Sequence, residues 1–154
     1  MYQPTEKERF LLNDLRSQEK LCIDKYTRYE GEAKDSELKN LFSSIKQTEQ
    51  KHYDSLGQVL DGNIPQVSAG NSAGEDYNPK ATYVGSYNQQ DKDNDSFLCT
   101  DAITMEKYVA GAYNFQLFQF GNPEMRRLLN DIETEEQNHA EQMYKYKTVN
   151  GMTN

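Results

Sequence analysis

Glu49-Gln50-Lys51-His52 and, 87 residues further on, Glu136-Gln137-Asn138-His139 decide how this chain folds. Both read Glu-x-x-His, and on a helix that spacing sets a carboxylate and an imidazole on neighbouring turns of one face, where both can reach one ion. The chain has only two histidines, and each follows a glutamate at this distance. The same shift carries Glu19-Lys20 onto Glu106-Lys107, Tyr26 onto Tyr113, Glu37-Leu38 onto Glu124-Met125, Leu41 onto Leu128 and Ile45 onto Ile132. A helical hairpin is therefore written twice.

Apolar residues at alternating steps of three and four predict four helices, over about 10–33, 36–60, 96–120 and 123–147. Glu19 interrupts the stripe of Leu12, Leu15, Cys22 and Tyr26, and Glu106 that of Cys99, Ala102, Val109 and Tyr113. Glu49 and His52 interrupt the second stripe, Glu136 and His139 the fourth. Asp35 or Ser36 offers a cap for the second helix, Asp95 or Ser96 for the third, and Asn122-Pro123 opens the fourth.

In an antiparallel hairpin, residues equidistant from the turn lie at one height. The midpoint between Glu19 and the Glu49–His52 pair falls near Asp35, and that between Glu106 and the Glu136–His139 pair near Asn122, both predicted turns. At about 1.5 Å per residue, each lone glutamate meets its Glu-x-x-His about 22 Å from the hairpin tip. Two such hairpins bring six side chains to one level. Four carboxylates in a dry core would each cost several kcal/mol without compensation, and two divalent cations with neutral histidines bring the charge to zero. Glu19, Glu49, His52, Glu106, Glu136 and His139 are thus the candidate ligands of a two-metal site. The mixed oxygen and imidazole set suits iron or manganese, and zinc as well. Tyr26 and Tyr113 lie two turns beyond the lone glutamates on the same face; they are either phenols behind the ligands or electron donors, or core fillers with a bonded hydroxyl. Glu30, Glu32, Glu133 and Glu135 read as solvated helix faces.

The 154 residues suit a single domain over 1–154. A net charge of -8 and a pI near 4.8 argue against nucleic acid and anionic membranes as partners. No apolar run is long enough to span a bilayer, and the amino-terminal residues lack an export pattern; the expected setting is the cytoplasm. Mean hydropathy is low, at -1.00, but the apolar residues are crowded into the four stripes. Cys22 and Cys99 are expected as buried free thiols. Residues 61–95 are polar and glycine-rich, and their length suits one crossover spanning the helices if the second and third run parallel. Ile64, Val67, Tyr83, Val84 and Tyr87 are expected to pin it, with short strands as one way of doing so.

A lone Glu followed by Glu-x-x-His, occurring twice between about Phe10 and Lys147, resembles the ferritin-like superfamily of ferritins, bacterioferritins, rubrerythrins and manganese catalases. Leu12-Asn13-Asp14-Leu15 leading into Glu19-Lys20, then Tyr26, Asp35-Ser36-Glu37-Leu38 and Leu41, looks like the spore coat F-type proteins. The resemblance implies an all-α, ferritin-like four-helix bundle with Glu19 and Glu106 as terminal ligands, Glu49 and Glu136 as bridging ligands, and His52 and His139 as imidazole ligands. It also implies dioxygen or peroxide chemistry of a peroxidase- or catalase-like kind, or a metal that only stabilises a coat protein. Its assembly would be a homodimer or a spore coat. The chain lacks the Cys-x-x-Cys pairs of a rubredoxin module and the short fifth helix of classical ferritins.

Overall fold

Capping side chains and apolar stripes together set the helices of the computed structural model, which describes residues 1–67 and 70–152. Helix α1 (Glu6–Glu32) opens at Thr5, whose hydroxyl accepts the Glu8 N–H while the Glu8 carboxylate accepts the Thr5 N–H. This reciprocal cap lies in polar sequence, so α1 begins before Phe10, the first residue that the apolar pattern reveals. Helix α2 (Ser36–Leu60) is capped by Asp35. A four-residue helix, α3 (Ala73–Asp76), follows in the long connection. Helix α4 (Gln89–Leu117) starts at the Asn88 cap, and α5 (Pro123–Val149) at the Asn122 cap with proline in the first turn.

The start of α4 corrects the sequence reading, which placed a cap at Asp95 or Ser96. Asp95 is inside the helix and buried. Its carboxylate accepts the backbone N–H groups of Lys34 and Asp35, each at 2.9 Å, and the Tyr83 hydroxyl at 2.5 Å. It therefore ties off the α1–α2 turn from the neighbouring hairpin. The polar run 88–95 hides two turns of helix because its solvent-facing side chains leave no apolar period. At its other end α4 stops at Leu117, short of residue 120, with Phe118 and Gln119 in a turn and Phe120 buried beyond it.

Among the described residues the chain is all helical, without a strand. Helices α1 and α2 form one hairpin and α4 and α5 the other, with α1 against α4 and α2 against α5. Contacts between Tyr26 and Glu106 and between Tyr113 and Glu19 make α1 and α4 antiparallel. Tyr146 on Asp35 and His52 on Glu136 do the same for α2 and α5. It follows that α2 and α4 run parallel, diagonally across the interior. The connection between them must cover the length of α2, about 37 Å for 25 residues.

That connection lies along α5. Gly74 N–H donates to Asn138 Oδ1 at 3.0 Å, Lys145 Nζ donates to the carbonyls of Gly74, Glu75 and Tyr77, and Asn150 Oδ1 accepts the N–H groups of Thr82 and Tyr83. A side chain at Gly74 would put its Cβ 2.5 Å from Glu141 Oε1 and 2.8 Å from Asn138 Oδ1, so a larger residue would force these side chains to shift. Of the expected apolar pins, Ile64 and Tyr83 pack against the core. Val67, Val84 and Tyr87 are exposed, and the expected strands are replaced by α3 and irregular backbone. Cys22 and Cys99 are free and buried. No helix among the described residues is long and apolar enough to cross a membrane.

Truncating Asp95 to alanine leaves two part-buried backbone donors and a phenol without their acceptor, so it should cost roughly 1–3 kcal/mol in urea unfolding. Truncating the exposed Asp93 to alanine should cost no more than about 0.5 kcal/mol.

Candidate metal centre

Half-way along the helices the core changes character. Glu19 from α1, Glu49 and His52 from α2, Glu106 from α4, and Glu136 and His139 from α5 point inward at one level, all buried. Ligand-type atoms of Glu19, Glu49, His52 and Glu136 lie within 4.8 Å of one another, and so do those of Glu49, Glu106, Glu136 and His139. Glu49 and Glu136 belong to both groups. The structure thus brings together all six residues singled out from the sequence.

Both imidazoles present Nδ1 to the centre. His52 Nδ1 is 2.9 Å from Glu136 Oε1, 3.1 Å from Glu49 Oε1 and 3.7 Å from Glu19 Oε1. His139 Nδ1 is 3.5 Å from both Glu49 Oε1 and Glu106 Oε1 and 3.8 Å from Glu136 Oε1. These approaches lack hydrogen-bond alignment: nine nitrogen and oxygen atoms of the six side chains are buried without a partner among the described residues. Unpaired buried polar atoms are rare because each forfeits its hydration. Eight of them, all but the outward-facing His52 Nε2, converge from the four helices on the cluster and fit a pair of cations, and the donor set of carboxylate oxygens and imidazole nitrogens suits hard to borderline divalent ions.

The two buried phenols bond to the cluster. Tyr26 OH donates to Glu106 Oε1 at 2.5 Å and Tyr113 OH to Glu19 Oε1 at 2.6 Å. Each tyrosine reaches across to the other hairpin's lone glutamate, so the two bonds are related by the same internal repeat as the ligands. Burial first, and then the surrounding carboxylates, push both phenols far above their ordinary range. They remain proton donors that fix one oxygen each of Glu106 and Glu19.

Without cations, protons must neutralise the cluster. Burial and then the Glu49 charge raise Glu19 to about 7, and burial followed by the neighbouring carboxylates raises Glu136 well above the usual range. Burial also opposes the ionisation of Glu49, but contact with Glu136 and the two imidazoles holds it down to about 2. Burial works against charge on both imidazoles, yet the facing carboxylates outweigh it and raise them.

One reading of the sequence is corrected here. Glu135, expected on a solvated face, is partly buried with Oε1 3.5 Å from His52 Nε2. Burial disfavours its charge, but His52 more than compensates and lowers it. A carboxylate behind a ligating imidazole fixes ring orientation and strengthens its basicity. The signal was its place directly before Glu136, which rotates it about 100° round α5 toward α2. The repeat breaks at this point: the counterpart of Glu135 is Thr48, which shares with His139, Asn71 and Ala73 a pocket of about 60 Å³. The outer edge of His52 lies in a wider groove of about 420 Å³ with Lys51, Asp54, Asp131 and Glu135.

An all-helical protein with a buried carboxylate and imidazole cluster is the class that the fold and the site define. Within it, a family model described as the Coat F domain matches residues 94–154, which hold most of α4 and all of α5, with Glu106, Glu136 and His139. No curated protein matches the chain, and no solved structure does so.

Protons held more tightly by the folded than by the unfolded chain stabilise it at low pH. For Glu19, that contribution is complete below the ordinary value of 4.5 and is lost as pH rises through about 7; Glu136 and both histidines act in the same sense. Glu49 acts oppositely, but its contribution is lost only as pH falls toward 2. Chelator-treated protein should therefore unfold at a higher temperature at pH 5 than at pH 8. Glu19→Gln should raise the pH 8 midpoint and flatten that dependence. Equal slopes for the two proteins would remove the assignment.

Proposed function

We propose that residues 1–154 form a single ferritin-like domain, a four-helix carboxylate protein akin to the spore coat F-type proteins, that binds two divalent ions at its centre. The eight unpartnered buried atoms converging from four helices carry this reading. Glu19 and Glu106 act as terminal ligands, Glu49 and Glu136 bridge, and His52 and His139 supply nitrogen. Iron or manganese fits the donor set best, and zinc also satisfies it.

A pair of redox-active ions bound there would supply electrons for reducing dioxygen or peroxide. The chain's own contribution is positional. Tyr26 and Tyr113 hold their protons and pin Glu106 and Glu19 by one oxygen, leaving the other free for an ion. Glu135 steadies His52 from behind. Leu12, Leu15, Leu56 and Leu129, each fully buried, keep bulk water from the cluster, and the pockets beside His52 and His139 give small molecules a path to its edge.

A second reading draws on the Coat F match: a structural protein of the spore coat, outside the cytoplasm of the growing cell, in which the ions only hold the hairpins together. Both readings predict two equivalents of Mn(II) or Fe(II) per chain and a melting temperature lowered by roughly 10 °C on chelation. They part on reactivity. Fe(II)-loaded protein, prepared without oxygen and then mixed with peroxide, should consume it and develop a near-ultraviolet absorption; the structural reading predicts neither. Glu49→Ala and Glu136→Ala should each abolish binding of both equivalents, and full stoichiometry in either would contradict the shared-ligand arrangement.

A further inference from the structure

Helix α4 has two apolar faces, and only one is used within the chain. Leu98, Ala102, Met105 and Val109 enter the core, while Phe97, Tyr108 and Phe115 lie about 100° further round the helix, 68%, 72% and 67% exposed. Their spacings of eleven and seven residues are close to whole turns, so they form one outward stripe. Phe118, 75% exposed, lies just beyond it. The repeat places a matching pair beside this stripe on α1, since Phe10 and Leu21 are the counterparts of Phe97 and Tyr108 and are also exposed. Lys7 Nζ to Gln119 Oε1, at 2.9 Å, shows that the Phe10 end of α1 adjoins the Phe118 end of α4.

Three observations identify the occupant. First, charge is scarce: in a chain with 27% charged residues, Lys107 is the one charged side chain among the exposed positions of α4 from Phe97 to Phe115, which otherwise hold Thr100, Thr104, Tyr108, Gly111 and Asn114. Asp101, at the edge, is already held by Lys25 and Tyr29. Second, Gly111 sits mid-helix one turn from Tyr108, with nothing within 4 Å of the place a Cβ would take. A mid-helix glycine costs about 1 kcal/mol relative to alanine, and nothing inside the chain requires it. It leaves room for a large side chain from outside. Third, with aromatic side chains at ~150–250 Å² each, the exposed parts of these six residues come to roughly 700 Å², near the ~800 Å² per partner of a standard specific interface.

We propose that this face joins two copies of the chain about a twofold axis, with α4 antiparallel to the partner's α4 and each Tyr108 seated over the other copy's Gly111. The stripe supplies both knob and hole, as a twofold contact between identical surfaces demands. The low charge of the stripe lets two acidic chains approach there with little repulsion. The contact is independent of metal, because none of its residues belongs to the central cluster.

Sedimentation equilibrium of the full-length chain at about 50 μM, above the micromolar limit for interfaces of this size, should show a dimer. Tyr108→Glu and Phe115→Glu should each weaken dimerisation by roughly 30-fold or more, with unchanged helical content. Gly111→Gln separates this role from a structural one: it should raise the thermal midpoint of the monomer at high dilution while also dissociating the dimer. A wild-type chain that stays monomeric overturns the proposal and leaves the face to a different protein. A dimer that survives both glutamate substitutions uses another surface and overturns it as well.

Discussion

Four carboxylates and two imidazoles share one small volume from which water is excluded, and the rest of the chain is arranged to hold them there. Helical hairpins place Glu19 opposite Glu49 and Glu106 opposite Glu136 at one height. The pairing of α1 with α4 supplies the two phenols, and the pairing of α2 with α5 brings His52 to Glu136. Buried charge of this density is unfavourable unless it is matched by opposite charge. Protons can neutralise it in part, as the raised Glu19 and Glu136 show. Two divalent ions would do so fully while also satisfying the eight unpartnered atoms that face the centre.

The elements legible in the sequence are those whose physics is periodic. A polar residue on an apolar stripe at helical spacing must face inward, so Glu19, Glu49, His52, Glu106, Glu136 and His139 could be named and set at one height before any coordinates. Tyr26 and Tyr113 could be placed on the right face but not assigned a partner, because their acceptors lie on the other hairpin. Non-periodic features were hidden. Asp95 looked like a helix cap because its neighbours are polar, yet its acceptors' partners, Lys34 and Asp35, are distant in sequence. The position of α3 depends on the fit of Gly74 against Asn138 and Glu141, which no local pattern announces. Glu135 lies one residue from a ligand, and only the packing of α5 on α2 shows that it turns toward His52.

Duplication explains both the symmetry of the centre and its departures. The six cluster residues and the phenols keep the repeat, whereas the residues outside them diverge: Glu135 answers to Thr48, and the crossover sets Asn71 and Ala73 beside His139 but Pro65, Gln66 and Val67 along the groove beside His52. One imidazole is thereby backed by a carboxylate, and the other faces a small polar pocket. The Coat F match covers the second hairpin, while the sequence resemblance was drawn from residues of the first; the internal repeat links the two, since either half carries the same glutamates and histidine.

The central claim is that the buried cluster is a cradle for two cations, and anomalous diffraction from crystals grown with Mn(II) addresses it most directly. Two peaks should appear within ~4 Å of one another between Glu49 and Glu136, one beside His52 and the other beside His139. A cluster that showed no peak there, with its carboxylates instead paired through protons or water, would contradict the account.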